Sequence, residues 1–376
     1  MKILAVARHP GGGIRTYFRY VYGNPVMEDI QVSLLAPATD SLEGLLSQVR
    51  NVKILAGTKD TTTGLLLSLL WQLLFKRPQV IHSHGFTAAI LTALPALLLR
   101  IPHVASTHDV FNERQFQGRY GRLKRWLIGY LLGFVSVLNP VGEDARNNLV
   151  STYPQLDRMG RLVAIRNGID SHFFLGADAR DLRKEQPIPD DALLLGFFGR
   201  FMAQKGFSTL VDAVARWNSE KTSPEAHVAC FGWGGFIREE QAELERRGLS
   251  DVFHFFPSTD DMPAALRGVD AVVMPSRWEA CPLLPMEAMV AGVPLIGTRC
   301  IGMAEVVSDT PALTFSTDSA DELLDCLHRF KANVEEFRQQ FARFAPEAAQ
   351  RFDVEHTATA LNDLLQDVAR HGKATT

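Results

Sequence analysis

The feature that most constrains this chain is a rhythm: a short apolar run, a turn, then a longer segment with helical spacing, repeated six times before residue 151. "KILAVA" precedes "IRTYFRYVY", "QVSLLAP" precedes 41–50, "VKILAG" precedes 62–75, "QVIHSHG" precedes 86–99, "HVASTH" precedes 118–133 and "FVSVLNP" precedes 142–150. Strand followed by helix, with short connections, specifies a parallel sheet covered on both faces. The rhythm pauses in the turn-rich, charged stretch "RNGIDSHFFLGADARDLRKEQPIPDD" (166–191), which reads as a linker near 170–190. It then restarts: "LLLGFFG", "HVACFG", "VFHFF", "AVVMP" and "PLIG" are strands, each leading into a helix, at Phe207 and near 236, 261, 285 and 302. Two doubly wound domains are expected, 1–170 and 171–353, with a terminal helix at about 354–372 that packs back on the first. The closing helical segment is expected to break near Pro346.

Bulk properties narrow the function. At 376 residues the chain exceeds what one core usually supports, and 46% hydrophobic with 22% charged residues is ordinary globular composition, so two domains fit. A net charge of -3 offers no overall basic field for a nucleic-acid backbone. Cys230, Cys281, Cys300 and Cys326 have neither metal-ligand spacing nor a disulfide pattern, which suits the cytoplasm. "MKILAV" reads as a first strand and not as a secretion signal. The longest apolar segment, "GLLLSLLWQLLF" (64–75), falls far short of the roughly 20 residues that span a bilayer.

In open parallel sheets, ligands bind beyond the carboxyl ends of the strands, so the residues just after each strand are the candidates. After the first strand, Gly11, Gly12 and Gly13 leave backbone N–H groups open to an anion at a helix start, or simply form a tight turn; the dinucleotide GxGxxG spacing is absent. "GRFMAQKGF" puts Arg200 and Lys205 on one short loop, two cations able to neutralise a diphosphate or two solvated surface charges. In "SRWEACPLLPMEAMVAGVPLIG" (276–297), Pro285 opens a helix of about two turns and Gly292 ends it. Glu287 falls in its first turns and Glu279 in the preceding loop, carboxylates able to accept from the hydroxyls of a sugar. Alternatively, Glu287 simply complements a helix N-terminus and Glu279 is solvated. His82 and His84 share a face of an extended run with no third ligand at recognisable spacing, and read as structural or as distant pocket lining. His108 is the better site candidate.

In order and spacing, "GGGIRTYF", "STHDV", "RNGID", "GRFMAQKGF", "MPSRWEACPLLPMEAMVAGVPLIG" and "GMAEVV" resemble the retaining glycosyltransferases of family 4, over nearly the whole chain. The resemblance implies a GT-B fold, α/β with two Rossmann-like domains facing a central cleft. It implies a hexosyltransferase working from a UDP- or GDP-sugar onto a hydroxyl of a glycan or lipid-linked acceptor in cell-surface polysaccharide or lipopolysaccharide synthesis. By motif, Arg200 and Lys205 would hold the donor diphosphate, Glu287 the ribose hydroxyls and Glu279 the transferred sugar. Gly12 and Gly13 would approach the phosphate and acceptor side, and His108 would face the sugar. Pro282, where many relatives carry Gly, lacks an N–H and leaves Leu283 and Leu284 as backbone donors to the sugar. No metal or other cofactor is expected, consistent with the lack of an Asp-x-Asp triplet. Rivals are an epimerase or a phosphorylase on the same fold, and a non-catalytic nucleotide-binding scaffold.

The basic, aromatic segment "RQFQGRYGRLKRWLIGYLLGF" (114–134) suits weak contact with an anionic membrane surface, placing the protein in the cytoplasm or peripherally on the inner face of the membrane. The same segment also fits a domain helix with a basic solvent face.

Overall fold

The computed structural model describes residues 1–37, 40–47, 49–55, 61–219 and 224–372. Residue 48 of the expected second helix and the end of "VKILAG" therefore lie outside the described residues. The chain divides into two compact units, Met1–Gly168 with Val354–Thr376, and Ile169–Asp353.

In the first unit, β1 (Lys2–Ala7), β2 (Gln31–Leu35), β3 (Val52–Ile54), β4 (Val80–His84), β5 (His103–Thr107) and β6 (Val137–Pro140) form one parallel sheet in the order β3-β2-β1-β4-β5-β6. The side chains of β1, β4, β5 and β6 are almost all buried, as a sheet covered on both faces requires, while the edge strand β3 is only half-buried. The order reverses between β1 and β4. Helices Thr62–Phe75, Phe86–Leu99 and Gly118–Leu132 connect β3 to β4, β4 to β5 and β5 to β6. These crossovers all run the same way along the sheet, so their common handedness lays the three helices on one face, with Phe86–Leu99 packed against the other two. The helix Val354–His371 packs on β4, β5 and the segment following β1.

In the second unit, β7 (Leu193–Phe198), β8 (Ala226–Phe231), β9 (Phe253–Phe256), β10 (Ala271–Met274), β11 (Leu295–Thr298) and β12 (Leu313–Phe315) pair in parallel as β12-β11-β10-β7-β8-β9. The reversal falls between β7 and β10. The core is aromatic: Phe197, Phe201 and Phe253 each pack edge-on against Phe207 at the start of the helix Phe207–Asn218.

Three expectations are corrected. The terminal helical segment does not break at Pro346: the helix Val334–Arg351 runs through it, and the boundaries fall at Asn333 and after Arg351. Pro346 stands exposed, so the carbonyl it leaves unbonded faces water, while Phe341, Ala345 and Ala348 remain buried on the opposite face. The stretch 170–190 is not a free linker, because Phe174 and Leu182 are buried in the second unit. "IRTYFRYVY" is not one uniform α-helix: Gly13–Tyr17 is α, and Phe18–Tyr22 widens to a π-turn.

Candidate functional site

The loops carrying the candidate residues of the second unit leave β7 and β10, the two strands at the reversal of strand order. That is where an open α/β sheet opens a ligand crevice at its carboxyl edge. After β7 the chain makes a tight turn, Ala203–Lys205, ending at Gly206. Gly206 has φ +62°, and a Cβ there would sit 2.0 Å from the carbonyl oxygen of Pro275, so only glycine lets this turn press against the exit of β10. Polar bonds then tie the two loops: Arg277 N–H donates to Gln204 O (2.8 Å), Gln204 Nε2 to Trp278 O (2.9 Å) and Arg277 Nη1 to Ala203 O (2.6 Å).

This clamp brings together Lys205 and Glu279, 74 positions apart. Lys205 Nζ donates to Glu279 Oε1 at 2.6 Å, with the two side chains 20% and 8% exposed. Glu279 is held from behind, because its N–H donates to Ile301 O at 3.0 Å. Gly302, with φ +76°, closes that contact; a Cβ there would lie 2.4 Å from Glu279 O. Arg200 is half-buried on the same loop, and no described residue bonds its guanidinium.

Glu287 lies in the first turn of the helix Leu284–Val290, with Pro285 opening that helix and Gly292 beyond its end at φ +71°. The carboxyl is buried and has no partner among the described residues; burial pushes its pKa up to about 7. Leu283 caps the helix and Leu284 begins it, positions whose backbone N–H groups have no acceptor within a helix.

In the first unit, the loop after β1 places Gly12 at φ +59°, capping Gly13–Tyr17, and a Cβ on Gly13 would meet nothing within 4 Å. His84 ends β4, and His108 follows β5, half-buried. His84 Nδ1 and His108 Nε2 are 3.1 Å apart. Tyr22 Oη lies 2.7 Å from His84 Nε2 and 2.8 Å from His82 Nδ1, and Ser106 Oγ lies 2.7 Å from His82 Nε2. Burial lowers the pKa of His82 to about 3 and of His108 to about 4, and holds His84 well below 6.5, so all three rings are neutral near pH 7. His82 and His84 thus belong to one buried polar network with His108. Sequence reasoning did not single out Tyr22, Ser106 or Asn139 of this network, nor Gln204 and Arg277 of the second-unit clamp. Their types carry no signal; only the pairing of β4 with β5, or of the β7 loop with the β10 loop, makes them neighbours. Among the described residues, no group of three or more His, Cys, Asp or Glu is arranged to hold a metal ion.

Two family models match the chain in succession, Glycosyltransferase Family 4 over residues 11–173 and Glycosyl transferases group 1 over residues 178–348. A 2-deoxystreptamine N-acetyl-D-glucosaminyltransferase of Streptomyces fradiae is 27% identical over 310 residues, 78% of this chain and 72% of that protein. An alpha-maltose-1-phosphate synthase of Mycolicibacterium smegmatis is 27% identical over 255 residues, 61% of this chain; the match spans 62% of that relative, less than two-thirds of its length. Among solved structures, Anabaena HepE in complex with UDP-glucose superposes with a TM-score of 0.82 at 20% identity, covering 98% of this chain and 100% of that one. WaaG, a glycosyltransferase involved in lipopolysaccharide biosynthesis, superposes at 0.73 with 16% identity, over 97% of this chain and 99% of that one. Two parallel six-stranded α/β units, matched model by model along the sequence, make this chain a member of glycosyltransferase family 4 with the GT-B fold.

Proposed function

We propose that the chain is a retaining hexosyltransferase that moves a sugar from a nucleotide-sugar donor to a hydroxyl of a glycan or lipid-linked acceptor. The observation that carries this reading is the Lys205–Glu279 pair, with Arg200 on the same loop as Lys205 and unpaired among the described residues, at the strand-order reversal of the second unit. An unpaired guanidinium there has its bidentate donors free for a diphosphate, and Lys205 adds a second cation. Glu279 turns one oxygen to Lys205, leaving the other to accept from a sugar hydroxyl. The unpartnered carboxyl of Glu287 suits a ribose diol, which would supply the two hydrogen bonds that burial denies it. Leu283 and Leu284 offer backbone N–H groups to the sugar, while Gly12 and Gly13 leave backbone open to a ligand in the first unit. A UDP-sugar is the favoured donor, since HepE, of the same fold, holds UDP-glucose.

In this reading the acceptor oxygen attacks the anomeric carbon from the side on which the diphosphate leaves. The carbon–oxygen bond to the diphosphate breaks, and the departing phosphate oxygen takes the acceptor's proton. Arg200 and Lys205 stabilise the charge that develops on the leaving group, so no side chain need act as a base and no step runs through a metal. Donor incubated with and without candidate acceptors tests this: transfer needs both. Conversion of donor alone would indicate an epimerase, dependence on inorganic phosphate a phosphorylase, and binding without turnover a scaffold.

A second element of the proposal concerns where the acceptor lies. Of the sixteen large apolar side chains that stand exposed among the described residues, twelve lie on the three helices that share one face of the first sheet. Leu67, Phe75, Leu98, Tyr120 and Trp126 are among them, and Trp126 stacks on Tyr130 at 5.5 Å. No Asp or Glu occurs from 61 to 108 or from 114 to 142, whereas Lys76, Arg77, Arg100, Arg119, Arg122 and Lys124 border the same face. Apolar and aromatic side chains bordered by these cations fit an anionic lipid surface. The face extends the 114–134 segment to three helices, and no helix among the described residues is long and apolar enough to cross a membrane.

A further inference from the structure

Asn139, Ser106, His82, Tyr22, His84 and His108 of the first unit form one chain of hydrogen bonds whose direction is set at one end. Asn139 Nδ2 lies 2.9 Å from Val163 O and 3.4 Å from Pro140 O, both acceptors only, so the amide orientation is fixed and Oδ1 faces Ser106 Oγ at 2.7 Å. Ser106 must therefore donate its one proton to Asn139 Oδ1. His82 Nε2, 2.7 Å from Ser106 Oγ, must then carry a proton and donate it.

The rest follows link by link. A neutral His82 protonated at Nε2 has a bare Nδ1, so Tyr22 Oη donates to it at 2.8 Å. Having given its proton, Tyr22 Oη accepts from His84 Nε2 at 2.7 Å. His84 Nδ1 is then bare and accepts from His108 Nε2 at 3.1 Å. His108, neutral and protonated at Nε2, is left with an unshared pair on Nδ1, and no described residue bonds that atom.

We propose that the relay Asn139–Ser106–His82–Tyr22–His84 locks His108 in its Nε2–H tautomer and so presents Nδ1 as a hydrogen-bond acceptor to a ligand hydroxyl. Tyr22, His82, His84 and Ser106 are positioning residues that act through His108. The relay also accounts for the π-turn at Phe18–Tyr22, which ends on the one residue that joins the two strand histidines. That the hydroxyl belongs to a sugar rests on the glycosyltransferase reading; the tautomer does not.

The test is nitrogen-15 NMR of the full-length protein labelled at histidine, which distinguishes a protonated ring nitrogen from a bare one without any ligand. In the wild type, His82, His84 and His108 should all be protonated at Nε2 and bare at Nδ1 between about pH 6 and 8; one Nδ1–H among the three overturns the relay. Tyr22→Phe removes the acceptor for His84 Nε2–H, and an orphaned buried N–H costs more than an orphaned lone pair. His84 should then turn its proton to Nδ1 and His108 should become the Nδ1–H form, while His82, still pinned by Ser106, stays unchanged. An unaltered His108 in folded Tyr22→Phe protein contradicts the proposal. If that variant does not fold, the three wild-type tautomers still decide it. With the donor in hand, Tyr22→Phe should lower turnover about tenfold, the loss of one hydrogen bond, and leave nucleotide affinity unchanged. A tautomer flip with unchanged turnover would uphold the relay and count against the glycosyltransferase reading of His108.

Discussion

Lys205 Nζ and Glu279 Oε1 are 2.6 Å apart, with Glu279 almost wholly out of water. A charge pair in that setting is costly to break from one side, because the survivor stays partly buried and unpaired. Lys205 keeps a fifth of its surface, which softens the penalty. Lys205→Met and Glu279→Gln should each destabilise by roughly 1–2 kcal/mol, and the double variant by clearly less than the sum. Urea unfolding of the four proteins measures this; simple additivity would mean the pair is not coupled.

Arg200 differs from Lys205 in having no partner among the described residues. Arg200→Ala should leave stability within about 0.5 kcal/mol while weakening nucleoside diphosphate binding by roughly 1.5–3 kcal/mol, or about 10- to 150-fold. Calorimetric titration with UDP, alongside a melting curve, separates the two effects. A loss of stability with intact binding would reverse the assignment.

Glu287 gives a pH dependence with a definite sign. Its folded pKa, near 7, is above the ordinary 4.5, so the native state holds a proton that the unfolded state has released. Stability from this group is fully present below about pH 4.5 and is lost as pH rises through 7. Glu287→Gln should therefore gain stability relative to wild type between pH 5 and pH 8, by up to roughly 3 kcal/mol. Binding runs the other way. If ribose hydroxyls need the ionised carboxylate, wild-type affinity for UDP-glucose should rise from pH 6 to 8, and the Gln variant should lose that trend. Parallel pH profiles for the two proteins would remove Glu287 from the donor site.

Gly302 supports Glu279 from behind. Gly302→Ala forces a side chain onto a backbone at φ +76° and into Glu279 O. Destabilisation of at least about 1–2 kcal/mol is expected from the backbone alone, together with reduced transfer as Glu279 shifts. Wild-type stability by urea unfolding would show that the loop relaxes freely there.

The apolar face of the first unit should sediment with vesicles of anionic lipid and much less with neutral ones. Arg119, Arg122 and Lys124 replaced together by Gln should weaken that association by about 1 kcal/mol per charge. Leu123→Asp with Trp126→Asp should abolish it. Binding to neutral vesicles equal to that to anionic ones would exclude the charge argument.

The strand–helix alternation was legible because fully buried parallel strands are short apolar runs, and all but one of the twelve strands among the described residues were seen as such. The exception, β12, is Leu-Thr-Phe followed at once by polar residues, whereas the equally short β3 begins the longer apolar run "VKILAG". Pro346 misled because a proline inside a helix costs less where its freed carbonyl meets water, and exposure at that position is a tertiary fact. Lys205 and Glu279 were each legible from their places after a strand, yet nothing in the sequence puts Nζ on Oε1. The relay through Tyr22 was illegible, since a π-turn and a strand pairing together bring its members into contact.

The most direct measurement of the central claim is the melting temperature of the wild type, Arg200→Ala and Glu287→Ala proteins across UDP-, GDP- and ADP-sugars, because a ligand that binds only the folded state raises it. The account predicts that one nucleotide family, UDP-sugars first, stabilises the wild type and that either substitution largely removes the shift. No shift with any of them, or a shift that survives both substitutions, would contradict it.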